Sequence, residues 1–359
     1  MRFLASLVAS AALCLAQPGP ETGELDGAQY RIDKPEKWNG ILLMYCHGYS
    51  PAPGRFDNPK PNPALSALAA QGYAVAQSGY STGGWAVAEA VRETEELRRH
   101  FTASYGKPKE TYVMGHSMGG FLTMALVEMH PESYDGGLAL CGPLAPASWF
   151  MLRRTFDLRV VFDYFFPGAL PPPDKVPADF RNTPEVTAQV LKLLDGKPDA
   201  AAQLRRWSGI RTDKELAGTA AFFTYILKDL RQRGGGNAFD NRDTIYDGTS
   251  DDNALNAGVT RYQADEGAAA YVRRYYTPSG KLSRPLLAIH TTYDPLVPPW
   301  VASQYSLLAR EAASGRWFVQ QYVQRDGHCQ ISGEEIGRGL VQLREWKTTG
   351  KRPPSGAAR

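Results

Sequence analysis

One serine in this chain stands where a hydroxyl becomes reactive. Tyr112-Val-Met-Gly-His-Ser-Met-Gly-Gly-Phe121 contains Gly115-His116-Ser117-Met118-Gly119, a G-x-S-x-G pattern. It lies between a predicted strand, 111–115, and a predicted helix running to about His130, the setting this motif requires. A serine on so sharp a turn takes a strained backbone conformation. Gly115 and Gly119 are needed because a Cβ at either place would meet the crossing strand and helix. The start of the helix favours negative charge beside the hydroxyl, so nucleophilic attack on a carbonyl is the chemistry to expect.

A serine hydroxyl needs a base at neutral pH. Six histidines are available: His47, His100, His116, His130, His290 and His328. His100 and His130 read as solvated helix ends. His290 lies inside an apolar strand and reads as a core residue. His47 and His116 fall in the first loop and the nucleophile turn, where they would pack or hydrogen-bond around the site. His328 lies beyond the last strand candidate, in the loop Arg325-Asp-Gly-His-Cys329. The acid should end a strand, and Leu286-Leu-Ala-Ile-His-Thr-Thr-Tyr-Asp294-Pro supplies Asp294 in a proline-bounded turn. Its task would be to fix the His328 tautomer and stabilise the imidazolium. Asp326 stands too near His328 along the chain to orient the ring, and no carboxylate ends the strand at 137–141. A tetrahedral intermediate also needs two N–H donors. The Met118 amide, directly after the nucleophile, is one candidate. The Tyr49 amide in His47-Gly48-Tyr49 is the other, with Gly48 letting the backbone approach.

Ser117, Asp294 and His328, in this chain order, resemble the α/β-hydrolase superfamily. The resemblance covers about residues 28–142 and 285–348. It implies an eight-strand-type sheet, a nucleophile–acid–histidine triad, no cofactor, and hydrolysis of an ester, amide or related bond through an acyl-enzyme. The chain looks most similar to secreted bacterial esterase- or peptidase-like members with a large cap. Tannase and feruloyl esterase relatives join a cysteine just before the serine to one just after the histidine. Cys329 matches the second place, but His116 holds the first, so the resemblance supports neither a bond of that type nor gallate or ferulate specificity. Cys46, Cys141 and Cys329 allow at most one internal disulfide; Cys329 with Cys141 is the pair expected if one forms.

The elements that must position these residues alternate. Apolar strands at 41–46, 73–77, 111–115 and 137–141 are separated by helices near 63–71, 85–104 and 117–130, the signature of a parallel sheet. The alternation stops at 143–284, where helical patterns at 145–166, 184–194, 213–232 and 262–275 surround a Gly/Asp/Asn-rich loop at 234–252. It resumes with strands at 284–290 and 317–323 and helices near 299–313 and 333–348. The expected fold class is α/β: an α/β-hydrolase fold with a mostly parallel sheet flanked by helices and an inserted helical cap. The core would occupy 17–142 and 285–359 and the cap 143–284. The cap holds many aromatics, among them Trp149, Phe150, Phe222, Phe223 and Tyr225. A few would line the acyl pocket and exclude water.

Composition narrows the alternatives. The 359 residues are 43% hydrophobic, enough for a large core, which excludes wholesale disorder. The 26 prolines and 35 glycines exclude a coiled coil. Forty basic against 37 acidic residues create no field that argues for nucleic acid or an anionic membrane. Residues 1–16 (Met1-Arg2, a short apolar run, then Cys14-Leu15-Ala16) read as a secretory signal peptide, too short to span a bilayer. A secreted or periplasmic protein with no stable membrane anchor after cleavage follows. Asp240, Asp243, Asp247, Asp251 and Asp252 lack the spacing of an EF-hand loop and read as a solvated loop, so no metal is expected. The leading expectation is a serine hydrolase for small-molecule esters of apolar or aromatic character. A serine exopeptidase or amidase on the same scaffold is the alternative, and a non-catalytic binding module of this fold is a third reading.

Overall fold

Ile41–Cys46 exposes no side chain on either face, and that burial dictates the architecture: such a strand must lie inside a sheet covered on both sides. The computed structural model describes residues 19–57 and 62–358; the expected signal peptide lies outside the described residues. The first half of the chain runs β1 (Glu21–Leu25), β2 (Ala28–Asp33), β3 (Ile41–Cys46), α1 (Pro63–Ala70), β4 (Ala74–Ser78), α2 (Val87–Tyr105), β5 (Glu110–His116), α3 (Met118–Met129) and β6 (Gly136–Leu140). Helices follow: α4 (Ala147–Phe150), a π-helical segment Met151–Phe156, α5 (Asp157–Phe165), α6 (Pro184–Asp195), α7 (Pro198–Ser208), α8 (Asp213–Gly234), α9 (Asp252–Gly258) and α10 (Glu266–Arg274). The chain then returns through β7 (Leu286–Tyr293), α11 (Pro299–Ala302), α12 (Gln304–Glu311), β8 (Phe318–Asp326), α13 (Gly333–Thr349) and β9 (Gly356–Ala357).

Among the described residues the strands form one nine-stranded sheet in the order β1-β2-β4-β3-β5-β6-β7-β8-β9, one strand more than expected. β1 and β2 pair antiparallel and β2 meets β4 antiparallel; every pairing from β4 to β9 is parallel. β3 and β5 are therefore central, and the loops at their C-terminal ends, after Cys46 and at Ser117, emerge side by side. One sheet face packs against α1 and α13 through Leu65, Leu68, Ile336, Leu340 and Leu343. The other is continuous with the buried side chains of 147–272, including Phe156, Phe162, Leu204 and Leu216.

Several expected elements differ in extent. The helix expected over 145–166 is interrupted by the π-helical turn, and that over 299–313 is broken at Ser303. The last helix before β7 begins at Glu266 rather than 262. α7, α9, β1 and β9 have no counterpart among the expected spans. Among the described residues no helix is long and apolar enough to cross a membrane.

Candidate active site

Ser117 sits between β5 and α3 with φ 57° and ψ −120°, a left-handed conformation that costs a non-glycine residue energy. Its neighbours permit it. A Cβ on Gly119 would lie 1.9 Å from the Cys46 carbonyl oxygen, and one on Gly115 would lie 2.4 Å from the same atom. Both are impossible distances, so β3 can cross this closely only over glycine. Gly48 lies on the opposite rim: its Cβ would come 3.2 Å from the His116 carbonyl oxygen and 3.3 Å from the Ser117 Cβ. The loop carrying Gly48 and Tyr49 thus passes against the serine. Met118 opens α3, where amides have no intrahelical acceptor.

Ser117 Oγ lies 2.9 Å from His328 Nε2, and His328 Nδ1 lies 2.6 Å from Asp294 Oδ2. Asp294 ends β7 and is buried; its Oδ1 accepts the amides of Leu296 (2.8 Å) and Val297 (2.9 Å). Burial pushes this carboxyl upward, but the His328 hydrogen bond and charge and the Val297 amide outweigh it and hold the group below the ordinary aspartate value. His328 is fixed from both sides along the chain. The Gly327 amide donates to Tyr293 and its carbonyl accepts from Thr291 Oγ1 (3.0 Å), while Cys329 is disulfide-bonded to Cys141. Cys141 is in turn anchored by its amide on Ile289. Burial first, then the His328 charge, lowers His116 to about 4, so it stands neutral, with Nδ1 at 3.4 Å from the Tyr45 hydroxyl. His47 stacks on Tyr80 at 4.0 Å, and His290 is buried in β7.

A cavity of about 320 Å³ opens at Ser117. Apart from Ser117 and His328 its walls are almost wholly apolar: Trp85, Pro143, Phe150, Met151, Phe222, Phe223, Ile226, Leu296 and Val297, with Gly48, Tyr49, Met118 and Cys329 at the reacting end. Trp85, Pro143, Met151, Ile226, Leu296 and Val297 are additions to the expected set. Leu296 and Val297 are signalled by following the acid directly, and Ile226 by its helical spacing from Phe222 and Phe223; Trp85 carries no such signal. Phe156, Phe162 and Phe166 pack instead in the interior of the inserted helices.

Arg154 is a further residue with no sequence signal. It is 4% exposed, in the π-helical turn, and its guanidinium donates to the carbonyls of Ser208 (2.8 Å) and Pro295, the residue after Asp294. Burial lowers it to about 10, with the Asp294 charge opposing.

One minor expectation is corrected. His100 is not a solvated helix end: its Nε2 meets Glu21 at 3.1 Å and Tyr30 at 3.2 Å, because β1 packs against α2. The acidic run lies in a solvent-exposed loop, as expected, and is tied down by local contacts. Asp240 pairs with Arg242, Asp251 caps α9, and Asp252 accepts from Thr249 and Gly248. Asp326 pairs with Arg211 at 2.6 Å.

Comparison with known proteins agrees with the topology. Acylaminoacyl peptidase bound to Z-Gly-Gly-Phe-chloromethyl ketone superposes over 95% of this chain with a TM-score of 0.50 at 10% identity. The orthorhombic form of the Pyrococcus horikoshii acylaminoacyl peptidase does so over 93%, again at 0.50 and 10%. The fold is that of the α/β-hydrolases. The chain spans 43% and 42% of the lengths of those two proteins. The monoacylglycerol lipase of Paleococcus ferrophilus matches over 90% of this chain and 98% of its own, with a TM-score of 0.44 and 15% identity. A family profile described as serine aminopeptidase, S33, matches residues 41–191, the part of this α/β-hydrolase fold that carries Ser117 but not Asp294 or His328. No curated protein sequence matches the chain.

Proposed function

We propose that this protein is a serine hydrolase that cleaves carboxylic esters of apolar or aromatic character through an acyl-enzyme. The observation that carries the reading is the unbroken Ser117–His328–Asp294 hydrogen-bond chain opening into an apolar cavity. His328 Nε2 takes the Ser117 proton as Oγ attacks the ester carbonyl carbon. Asp294 keeps the other proton on Nδ1 and stabilises the imidazolium. The carbonyl electrons move onto oxygen, which the Met118 and Tyr49 amides receive. Collapse breaks the bond to the leaving oxygen, and His328 returns the proton to it. Water repeats the sequence and frees the acid. Residues 143–284 act as a cap that roofs the acyl pocket through Phe150, Phe222 and Phe223. The protein works outside the cytoplasm after loss of residues 1–16, and needs no cofactor.

The name of the matched family favours a peptidase, so the electrostatics of the cavity matter. A free α-ammonium needs a carboxylate, and among the described residues none lines the cavity at Ser117. Asp229, on the neighbouring part of α8, is committed to Arg233 (3.1 Å) and to the Trp85 amide. An uncharged ester suits such a wall. Turnover of p-nitrophenyl acyl esters against aminoacyl anilides decides between the two: ester hydrolysis, abolished together with fluorophosphonate labelling in Ser117→Ala, is expected. Turnover of anilides alone would overturn the ester assignment, and labelling that persists in the variant would overturn the nucleophile.

A further inference from the structure

A second cavity, of about 610 Å³, lies beside the first. Its walls are Pro51, Thr82, Gly83 and Gly84 on the core side and Ala178, Arg181, Tyr225, Lys228, Asp229 and Arg233 on the helical side. The two cavities share a partition. The Tyr49 ring meets Phe222 edge-on at 5.4 Å, in the wall of the first, and Tyr225 edge-on at 6.4 Å, in the wall of the second. One helix therefore serves both: Phe222, Phe223 and Ile226 of α8 face the serine side, and Tyr225, Lys228 and Asp229 face the groove. Lys228 lies roughly 9 Å along the helix axis from Phe222, which lines the cavity at Ser117.

The charges in this groove do not balance. Arg233 and Asp229 satisfy each other, and Arg233 also holds Glu89 at 3.2 Å. Lys228 and Arg181 are left. Lys228 is 6% exposed, yet its ammonium has one carbonyl, Phe180 O at 3.3 Å, and the face of Tyr225, with its Nζ 3.8 Å from the ring centroid. Arg181, which is exposed at the mouth of the groove, donates to that same carbonyl at 3.1 Å and to Ala178 O at 3.2 Å, so Lys228 is the buried cation of the two. Two cations thus converge on one neutral oxygen, and among the described residues no carboxylate lies within 4.0 Å of either. Burial, then the Arg181 charge, pulls Lys228 below the ordinary lysine value, with Asp229 opposing. Burying a cation without a counter-ion is unfavourable unless something supplies the negative charge.

We propose that this groove is an anion subsite, in which Lys228 and Arg181 receive a carboxylate carried by the part of the substrate outside the apolar pocket. This rests on the ester-hydrolase reading above and extends it: the preferred ester is apolar around its carbonyl and anionic at its far end. Neither cation stands out in the sequence, because Arg181 and Lys228 are 47 positions apart and in different elements.

The test uses para-butyryloxycinnamate and its primary amide, a pair differing in one negative charge. The wild-type enzyme is expected to favour the acid at least tenfold in kcat/KM at low ionic strength. In the Lys228→Met/Arg181→Met double variant that ratio should fall to about one, with kcat/KM for the amide unchanged. In parallel, binding of para-hydroxycinnamate and para-hydroxycinnamamide to Ser117→Ala is measured by calorimetry, with and without the two substitutions. Tighter binding of the anion that disappears with Lys228 and Arg181 supports the subsite. Equal binding of acid and amide, or an anion preference that survives in the double variant, overturns it. Anion binding without any rate preference overturns its role as a substrate subsite. Should neither ester be hydrolysed, the ester-hydrolase reading fails, while the binding comparison still decides whether the groove holds anions.

Discussion

His328 is the residue on which the proposed chemistry turns, since it touches both the nucleophile and the acid. Its replacement by alanine should lower kcat by about three to four orders of magnitude with KM little changed, because what is lost is a group acting only in the transition state. Asp294→Asn should cost nearly as much, since an asparagine cannot hold the neutral ring with its proton on Nδ1. A rate within tenfold of wild type for either variant, measured on a p-nitrophenyl ester, would remove that residue from the mechanism. Much of this constellation could be read from local signals. Two glycines around a serine, a histidine in a late loop and an aspartate ending a strand each carry their own mark. Arg154, Lys228 and Arg181 carry none: an arginine or lysine in a helical stretch reads as solvated, and only the tertiary arrangement makes them buried or unpaired.

The elements hold the triad by two different devices. Asp294 is fixed by β7 and by the amides of its own turn, a local arrangement. His328 depends on the Cys141–Cys329 bond, which ties its loop to the end of β6, 188 positions away. Replacing both cysteines by serine should cost about 2–4 kcal/mol of stability. It should also reduce kcat by at least about tenfold, since a small misplacement of the base is expensive. Denaturant unfolding and steady-state kinetics on the same preparation separate the two effects, and an unchanged kcat would show that the strand pairing alone holds the loop. The strands and helices of the core are the elements whose patterns are strongest, because burial on both faces leaves β3 and β6 unbroken apolar runs. β1, with its Glu-Thr-Gly-Glu-Leu sequence, has no such run, since as an edge strand it leaves one side in water. α7 opens on Pro198 and carries two arginines in its last turn, signals of a helix whose fully buried apolar residues are Ala201 and Leu204, with Trp207 half-buried beside them.

Taken whole, the molecule buries groups whose protonation opposes one another. His116 titrates near 4 when folded and near the ordinary 6.5 when unfolded, so between those values the unfolded chain binds more protons and stability falls as pH falls. Asp157 and Asp163, each raised to about 6 first by burial, bind more protons when folded and act in the opposite direction over an overlapping range. The raw pH dependence therefore mixes signs, and a difference measurement isolates the histidine. His116→Asn should gain stability relative to wild type as pH falls from about 6.5 to about 4, by up to about 3 kcal/mol. Urea midpoints at several pH values for the two proteins check this, and a pH-independent difference would contradict it. The disulfide has a consequence for handling the protein as well. A proteolytic cut in the loop at Ile245, which is 81% exposed, would leave Ser117 on one fragment and Asp294 and His328 on the other, yet Cys141 and Cys329 would keep the two fragments covalently joined. Nicked material would therefore run as a single band without reductant and as two with it, so only a reducing gel can certify a preparation as intact.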